Sequence, residues 1–151
     1  MKDRVIYKAS RIFTGDDWLP DHAIIIKNGV IEAVLPSVTL PDTIKAKDFG
    51  DCVIAPAFID AQIYGAYGKL LSVYPEKDSL TKLVDYCRKG GAAYCVPTVA
   101  TNTKEVFYKA IDAIKDYWDS GGEGVLGIHL EGPWINPVKR GAHLEELIHP
   151  P

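Results

Sequence analysis

Short apolar runs punctuated by turn residues fill the first third of this chain, and a slower alternation of strand-like and helix-like stretches takes over after it. Residues 5–7, 11–13, 23–27 and 30–34 are each rich in β-branched or aromatic side chains, the pattern of short strands. Asn28-Gly29 separates the last two, and because both residue types accept the positive φ of a type I′ turn, a hairpin is predicted there. Past about residue 56 the order becomes strand, helix, strand, helix, strand. Residues 53–65 read as an apolar strand that turns polar before a glycine, and residues 92–98 as a second strand. Residues 124–128 read as a short buried third strand, stopped by Gly132-Pro133.

Helices are predicted over 78–89 and 103–120. The first carries Leu80, Leu83, Val84 and Cys87 on one side and stops before Gly90-Gly91. In the second, Val106, Ala110, Ile111, Ile114 and Trp118 recur at helical spacing, and Thr101 or Thr103 can cap its start with Glu105 nearby. The fold class is therefore α/β, with residues 1–55 an all-β portion and residues 56–151 a run of parallel β/α units. A closed eight-stranded β/α barrel takes roughly 250 residues, so residues 56–151 suffice for only about three strands and their helices. The chain is accordingly expected to be the amino-terminal portion of a longer protein.

Composition narrows the function classes. At 47% apolar and 25% charged over 151 residues, the chain has ordinary globular make-up with ample core material. A net charge of −3 gives no electrostatic footprint for nucleic acid or an anionic membrane surface. Met1-Lys2-Asp3-Arg4 leads into a strand-like run rather than a long apolar stretch, so neither a signal peptide nor a membrane span is expected and a cytoplasmic location is predicted. The three cysteines, Cys52, Cys87 and Cys95, are odd in number and lack C-x-x-C spacing, which argues against a disulfide framework and a thiolate zinc site. They read as small apolar residues. Gly65-Ala66-Tyr67-Gly68 is too short for a phosphate-cradling loop and lacks the lysine or third glycine, so phosphoryl and hydride transfer are disfavoured. A nucleophilic pairing of Cys87 or Cys95 with His129 lacks a glycine-rich elbow.

The most chemically loaded stretch is Gly127-Ile128-His129-Leu130-Glu131-Gly132-Pro133-Trp134, where an apolar run delivers an imidazole and a carboxylate to a Gly-Pro stop. Glu131 should project from the carboxyl end of its strand, the functional edge of parallel α/β folds. Strand alternation places Asp60, Gln62 and Tyr64 on one face, and His129 on the same face as Glu131. Lys139-Arg140-Gly141-Ala142-His143 reads as a polar loop after the third strand. Taken singly, these residues have plainer readings. Glu131 can pair with Lys139 or Arg140 or accept turn N–H bonds, and His129 can sit in the core. Gln62 and Tyr64 can be filler, His143 an exposed loop residue, and Lys139-Arg140 a solvated basic pair rather than a lure for a phosphorylated substrate.

Together the motifs carry a resemblance. Residues 53–65, with Phe58-Ile59-Asp60, resemble the first barrel strand of the amidohydrolase superfamily, which reads P-G-F-I-D-x-H-x-H-G. His129-Leu130-Glu131-Gly132-Pro133-Trp134 followed by the 139–143 loop is similar to the N-acetylglucosamine-6-phosphate deacetylase family within it. The resemblance implies the amino-terminal part of a (β/α)8 amidohydrolase barrel preceded by part of a small β-sandwich domain. It implies metal-dependent hydrolysis of the acetamide of N-acetylglucosamine 6-phosphate to glucosamine 6-phosphate and acetate. Such chemistry needs a strong nucleophile at neutral pH, which a bound metal supplies by lowering the pKa of water to about 7. On this footing Glu131 is a ligand to one divalent ion, zinc or iron. Two histidine ligands and an aspartate base are expected beyond Pro151, so no catalytic base lies in the chain and residues 1–151 alone are expected to be inactive. Ala142, through its backbone, and His143 are expected to contact the amino sugar. Asp60, Gln62 and His129 are supporting residues behind the metal. The superfamily's H-x-H is here Gln62 and Tyr64, weak zinc ligands beside imidazole, which favours a single ion. The partners implied are a phosphorylated amino sugar and a second copy in a homodimer, with no nucleic acid and no membrane. Two alternatives stand beside this reading: an amidohydrolase acting on another amide, and a non-catalytic binding or scaffolding domain.

Overall fold

The computed structural model describes residues 4–41 and 43–150; Met1, Lys2 and Asp3 of the start considered above, and Pro151, lie outside the described residues. The chain divides into two compact units, Met1–Pro56 and Ala57–Pro151. No helix among the described residues is long and apolar enough to cross a membrane.

The first unit holds β1 (Arg4–Lys8), β2 (Arg11–Phe13), β3 (Trp18–Pro20), β4 (His22–Lys27), β5 (Val30–Pro36), β6 (Lys47–Asp48) and β7 (Val53–Ile54). They form two sheets, ordered β5-β4-β1-β6 and β3-β2-β7. The β4–β5 hairpin turns through Asn28 (φ 54°) and Gly29 (φ 77°), the left-handed pair that a type I′ turn requires. Ile6, Ala23 and Ile25 form the core of the larger sheet, with Leu35 and Leu40 packed against them. The sequence reading missed β3. Thr14 Oγ1 accepts the N–H groups of Asp16 and Asp17 and closes the loop that turns β2 back into it.

The second unit holds β8 (Phe58–Ile63), β9 (Gly65–Ala66), β10 (Lys69–Leu70), α1 (Lys77–Lys89), β11 (Ala92–Ala100), α2 (Lys104–Asp119) and β12 (His129–Glu131). Strands β8, β11 and β12 pair in parallel with β11 at the centre, while β9 and β10 make a small hairpin. As the central strand of a parallel sheet, β11 is buried along most of its length, at Ala92, Cys95, Pro97, Thr98 and Val99. Pro97, which has no N–H to give the ladder, sits where the pairing with β8 shifts register. Leu80, Leu83, Val84 and Cys87 form the buried side of α1, as the spacing predicts, and the helix packs on β11 and α2.

Three expectations are corrected. Residues 53–65 are not one strand: residues 55–57 lie outside any strand, so β7 belongs to the first unit and β8 to the second. The third strand is not 124–128. Val125 makes one bridge to Cys95, the chain then takes one extra residue, and the ladder resumes at Thr98↔His129. Gly124, at φ 92° with its missing side chain against Val84, sets that detour. The buried stripe of α2 is Phe107, Ala110, Ala113, Ile114 and Tyr117, so only Ala110 and Ile114 of the expected set are buried. Trp118 is held at the rim, where its indole N–H donates to the Val125 carbonyl at 3.0 Å. Thr103, not Thr101, caps this helix, accepting from the Val106 N–H.

Leu80 is fully buried between these layers. Leu80→Ala should lower unfolding free energy by about 2–5 kcal/mol through lost burial and the cavity left behind. Val138→Ala, at a side chain 91% exposed, should change it by less than about 0.5 kcal/mol. Denaturant titration of both variants checks the pair, and equal midpoints would refute this core assignment.

Candidate functional site

All three parallel strands of the second unit bring polar residues to their carboxyl ends. Gln62 and Tyr64 lie at the end of β8, Thr101 one residue past β11, and Glu131 closes β12 opposite Ala100. Tyr64 is beyond the last residue of β8, yet its ring still reaches across the strand ends. Its hydroxyl donates to Oε2 of Glu131, and Gln62 Nε2 donates in turn to Tyr64 Oη at 2.8 Å. The three side chains thus form a relay of one polarity that ends on the carboxylate.

His143 approaches from the other side. Its Nε2 stands 3.6 Å from Glu131 Oε1, and the two side chains are 15% and 28% exposed. The 139–143 loop reaches this position by local turn chemistry. Asn136 Oδ1 accepts the Val138 N–H at 2.9 Å, starting a turn of 3-10 helix over Pro137–Lys139. Arg140 then donates through Nη1 to the His143 carbonyl at 2.6 Å and pairs with Glu145 at 3.5 Å. Arg140 therefore braces the loop and does not pair with Glu131. The pairing of Glu131 with Lys139 or Arg140 considered from sequence gives way to Tyr64 and His143.

Beneath the loop, Thr101 is 6% exposed and joins two of these pieces. Its hydroxyl donates to the Glu131 carbonyl at 3.1 Å and lies 2.8 Å from His143 Nδ1. Gly132, with φ 106°, makes the close approach feasible, since a Cβ there would lie 2.1 Å from Thr101 Oγ1. Sequence reasoning considered Thr101 only as a helix cap; the signal available was a hydroxyl immediately past a buried strand, at the edge where Glu131 emerges.

The remaining candidates stand further back. Asp60 Oδ1 accepts the Gln62 N–H at 3.1 Å, so it braces the end of β8. His129 shares the face of Glu131, and its Nδ1 lies 3.5 Å from Thr98 Oγ1. Ala142 is exposed on the loop. The hydrogen bond to Glu131 raises the Tyr64 phenol above its ordinary pKa, opposed by the amide of Gln62. The Cys-His nucleophile is set aside on the same grounds. Burial pushes the Cys95 thiol up to about 12 and raises Cys87 as well, so neither is a ready thiolate. Cys52, read from sequence as a small apolar residue, is exposed.

Chemically, the arrangement offers an anionic oxygen pair, fixed on one side by a phenol and faced on the other by an imidazole. A family model describing the NagA composite domain matches residues 8–50. The chain is 33% identical over 145 residues to an N-acetylgalactosamine-6-phosphate deacetylase of Escherichia coli O157:H7, covering 94% of this chain and 37% of that protein. It is 31% identical over 137 residues to the N-acetylglucosamine-6-phosphate deacetylase of Haemophilus influenzae, covering 91% of this chain and 36% of the relative. Among solved structures, the N-acetylglucosamine-6-phosphate deacetylase of Pasteurella multocida superposes with a TM-score of 0.89 at 26% identity, covering 97% of this chain and 39% of that one. The chain thus spans little more than a third of the length of these proteins.

Proposed function

We propose, for a chain that belongs to the N-acetylglucosamine-6-phosphate deacetylase family, that it contributes to hydrolysis of the acetamide of N-acetylglucosamine 6-phosphate, giving glucosamine 6-phosphate and acetate. The observation that carries this reading is the placement of Glu131 at a strand's carboxyl end, held by Tyr64 on one side and faced by His143 Nε2 at 3.6 Å on the other.

The residues present fit part of a metal site. Glu131 offers an anionic oxygen, while no group of three His, Cys, Asp or Glu that could hold an ion occurs among the described residues. Further ligands and the general base would come from the portion of the relatives' length that this chain does not span. A divalent ion held there, zinc or iron, would polarise the amide carbonyl and make water nucleophilic near neutral pH. The chain's own residues do the rest of the positioning. Tyr64 and Gln62 hold the carboxylate in one orientation and fill the place of the superfamily's second pair of ligands, which supports a single ion. His143, with the backbone at Ala142, orients the amino sugar, and Asp60 and His129 brace the strand ends behind. In this reading residues 56–151 supply the first three strands and two helices of a (β/α)8 barrel, and residues 1–55 part of a β-sandwich. The working form would be a cytoplasmic homodimer, and residues 1–151 alone would not turn over.

Because one relative is named for the galactosamine epimer, the test is a substrate panel on the intact polypeptide. Acetate release should be at least about tenfold more efficient, in kcat/KM, with N-acetylglucosamine 6-phosphate than with either its galactosamine epimer or the unphosphorylated sugar, the margin one satisfied hydrogen bond or charge pair provides. Preference for the epimer would move the substrate assignment. Absence of any acetamide hydrolysis would end it.

A further inference from the structure

We propose that Thr101 is a positioning residue of the amino-sugar site: its buried hydroxyl fixes His143 as the Nδ1–H tautomer and so turns the ring's Nε2 lone pair toward a hydroxyl donor of the substrate. The inference rests on the assignment of His143 to sugar binding and adds which form of the ring does the binding.

Proton accounting carries the argument. A threonine hydroxyl has one hydrogen to give, and a carbonyl oxygen can only accept. At 3.1 Å from the Glu131 carbonyl, the Thr101 hydrogen is committed there. The contact at 2.8 Å to His143 Nδ1 must then be filled by a ring N–H donating to Oγ1. In the opposite tautomer, two acceptors would compete for one hydroxyl hydrogen, leaving one unsatisfied in a setting where Thr101 is 6% exposed. The neutral ring therefore carries its lone pair at Nε2, the nitrogen facing Glu131 Oε1 at 3.6 Å. Two acceptors opposed at that separation are satisfied by a donor placed beside them, and a sugar hydroxyl is such a donor. The backbone is built around this contact, because Gly132 leaves space that a Cβ would close to 2.1 Å from Oγ1, and Arg140 pins the His143 carbonyl at 2.6 Å.

The test uses the intact polypeptide, labelled with nitrogen-15 in its histidine rings and assigned by His143→Gln. The ring of His143 should show a protonated Nδ1 and an unprotonated Nε2 in the wild type, and Thr101→Val should give a mixture of tautomers. In kinetics, Thr101→Val should raise KM for N-acetylglucosamine 6-phosphate roughly tenfold, the weight of one hydrogen bond, with kcat within about threefold of wild type. Thr101→Ser, which keeps the hydroxyl, should restore KM. A wild-type His143 protonated at Nε2 overturns the proposal even if Thr101→Val does not fold, as does a serine variant no better than the valine one. If the wild type hydrolyses no hexosamine 6-phosphate, the sugar-binding assignment fails separately, and the ring spectrum still decides the tautomer.

Discussion

Glu131→Gln should cost the intact enzyme about three orders of magnitude or more in kcat/KM, equivalent to roughly 4 kcal/mol of transition-state stabilisation. The substitution keeps the size of the side chain and a carbonyl oxygen that can still accept from Tyr64, so the strand end and its neighbours have no steric reason to move. What it removes is the negative charge. A neutral amide is a poor ligand for a hard divalent cation beside a carboxylate, so bound metal should fall in parallel with activity. Deacetylase assays paired with elemental analysis check both effects. Acetate release within tenfold of wild type, with metal retained, would remove Glu131 from the site.

Gly132→Ala should be the most damaging single-methyl change in the second unit. The new Cβ would lie 2.1 Å from Thr101 Oγ1 and 3.2 Å from Ile135 Cδ1, on a backbone at φ 106° that alanine rarely adopts. Left-handed strain and overpacking each cost about 1–3 kcal/mol, so stability should fall by about 2–5 kcal/mol. Because the clash is with Thr101, the hydroxyl that spans the Glu131 carbonyl and His143 Nδ1 must move, and activity should drop along with stability. Gly127→Ala is the internal control, since nothing lies within 4 Å of its added Cβ. Thermal melts of the two variants should differ accordingly, and equal melting temperatures would show that the turn after β12 tolerates a side chain.

What could be read from the sequence was whatever depends on local periodicity and turn chemistry. Asn28-Gly29 made its hairpin because the two positive φ values are a property of those residues alone. The buried side of α1 followed because Leu80, Leu83, Val84 and Cys87 are its main apolar residues. In α2 the apolar positions outnumber those one face can bury, and the choice fell to residues that fit the neighbouring layer, with Trp118 diverted by its N–H to the Val125 carbonyl. Non-local register was not legible. The one-residue excess between Cys95↔Val125 and Thr98↔His129 decides where the third strand begins, and no pattern within residues 124–128 records it. The site divides along the same line. Glu131 and His143 were marked by motif and Gly-Pro punctuation, whereas the contacts of Tyr64 and Thr101 join residues 67 and 42 positions apart in sequence and exist only once the strands are paired.

The most direct measurement is anomalous diffraction at the metal's absorption edge from crystals of the intact protein. A single peak about 2.0–2.2 Å from a Glu131 carboxylate oxygen, with none at Gln62 or Tyr64, is the predicted result. A peak ligated elsewhere, or two ions sharing the strand ends with Tyr64 displaced, would contradict the account.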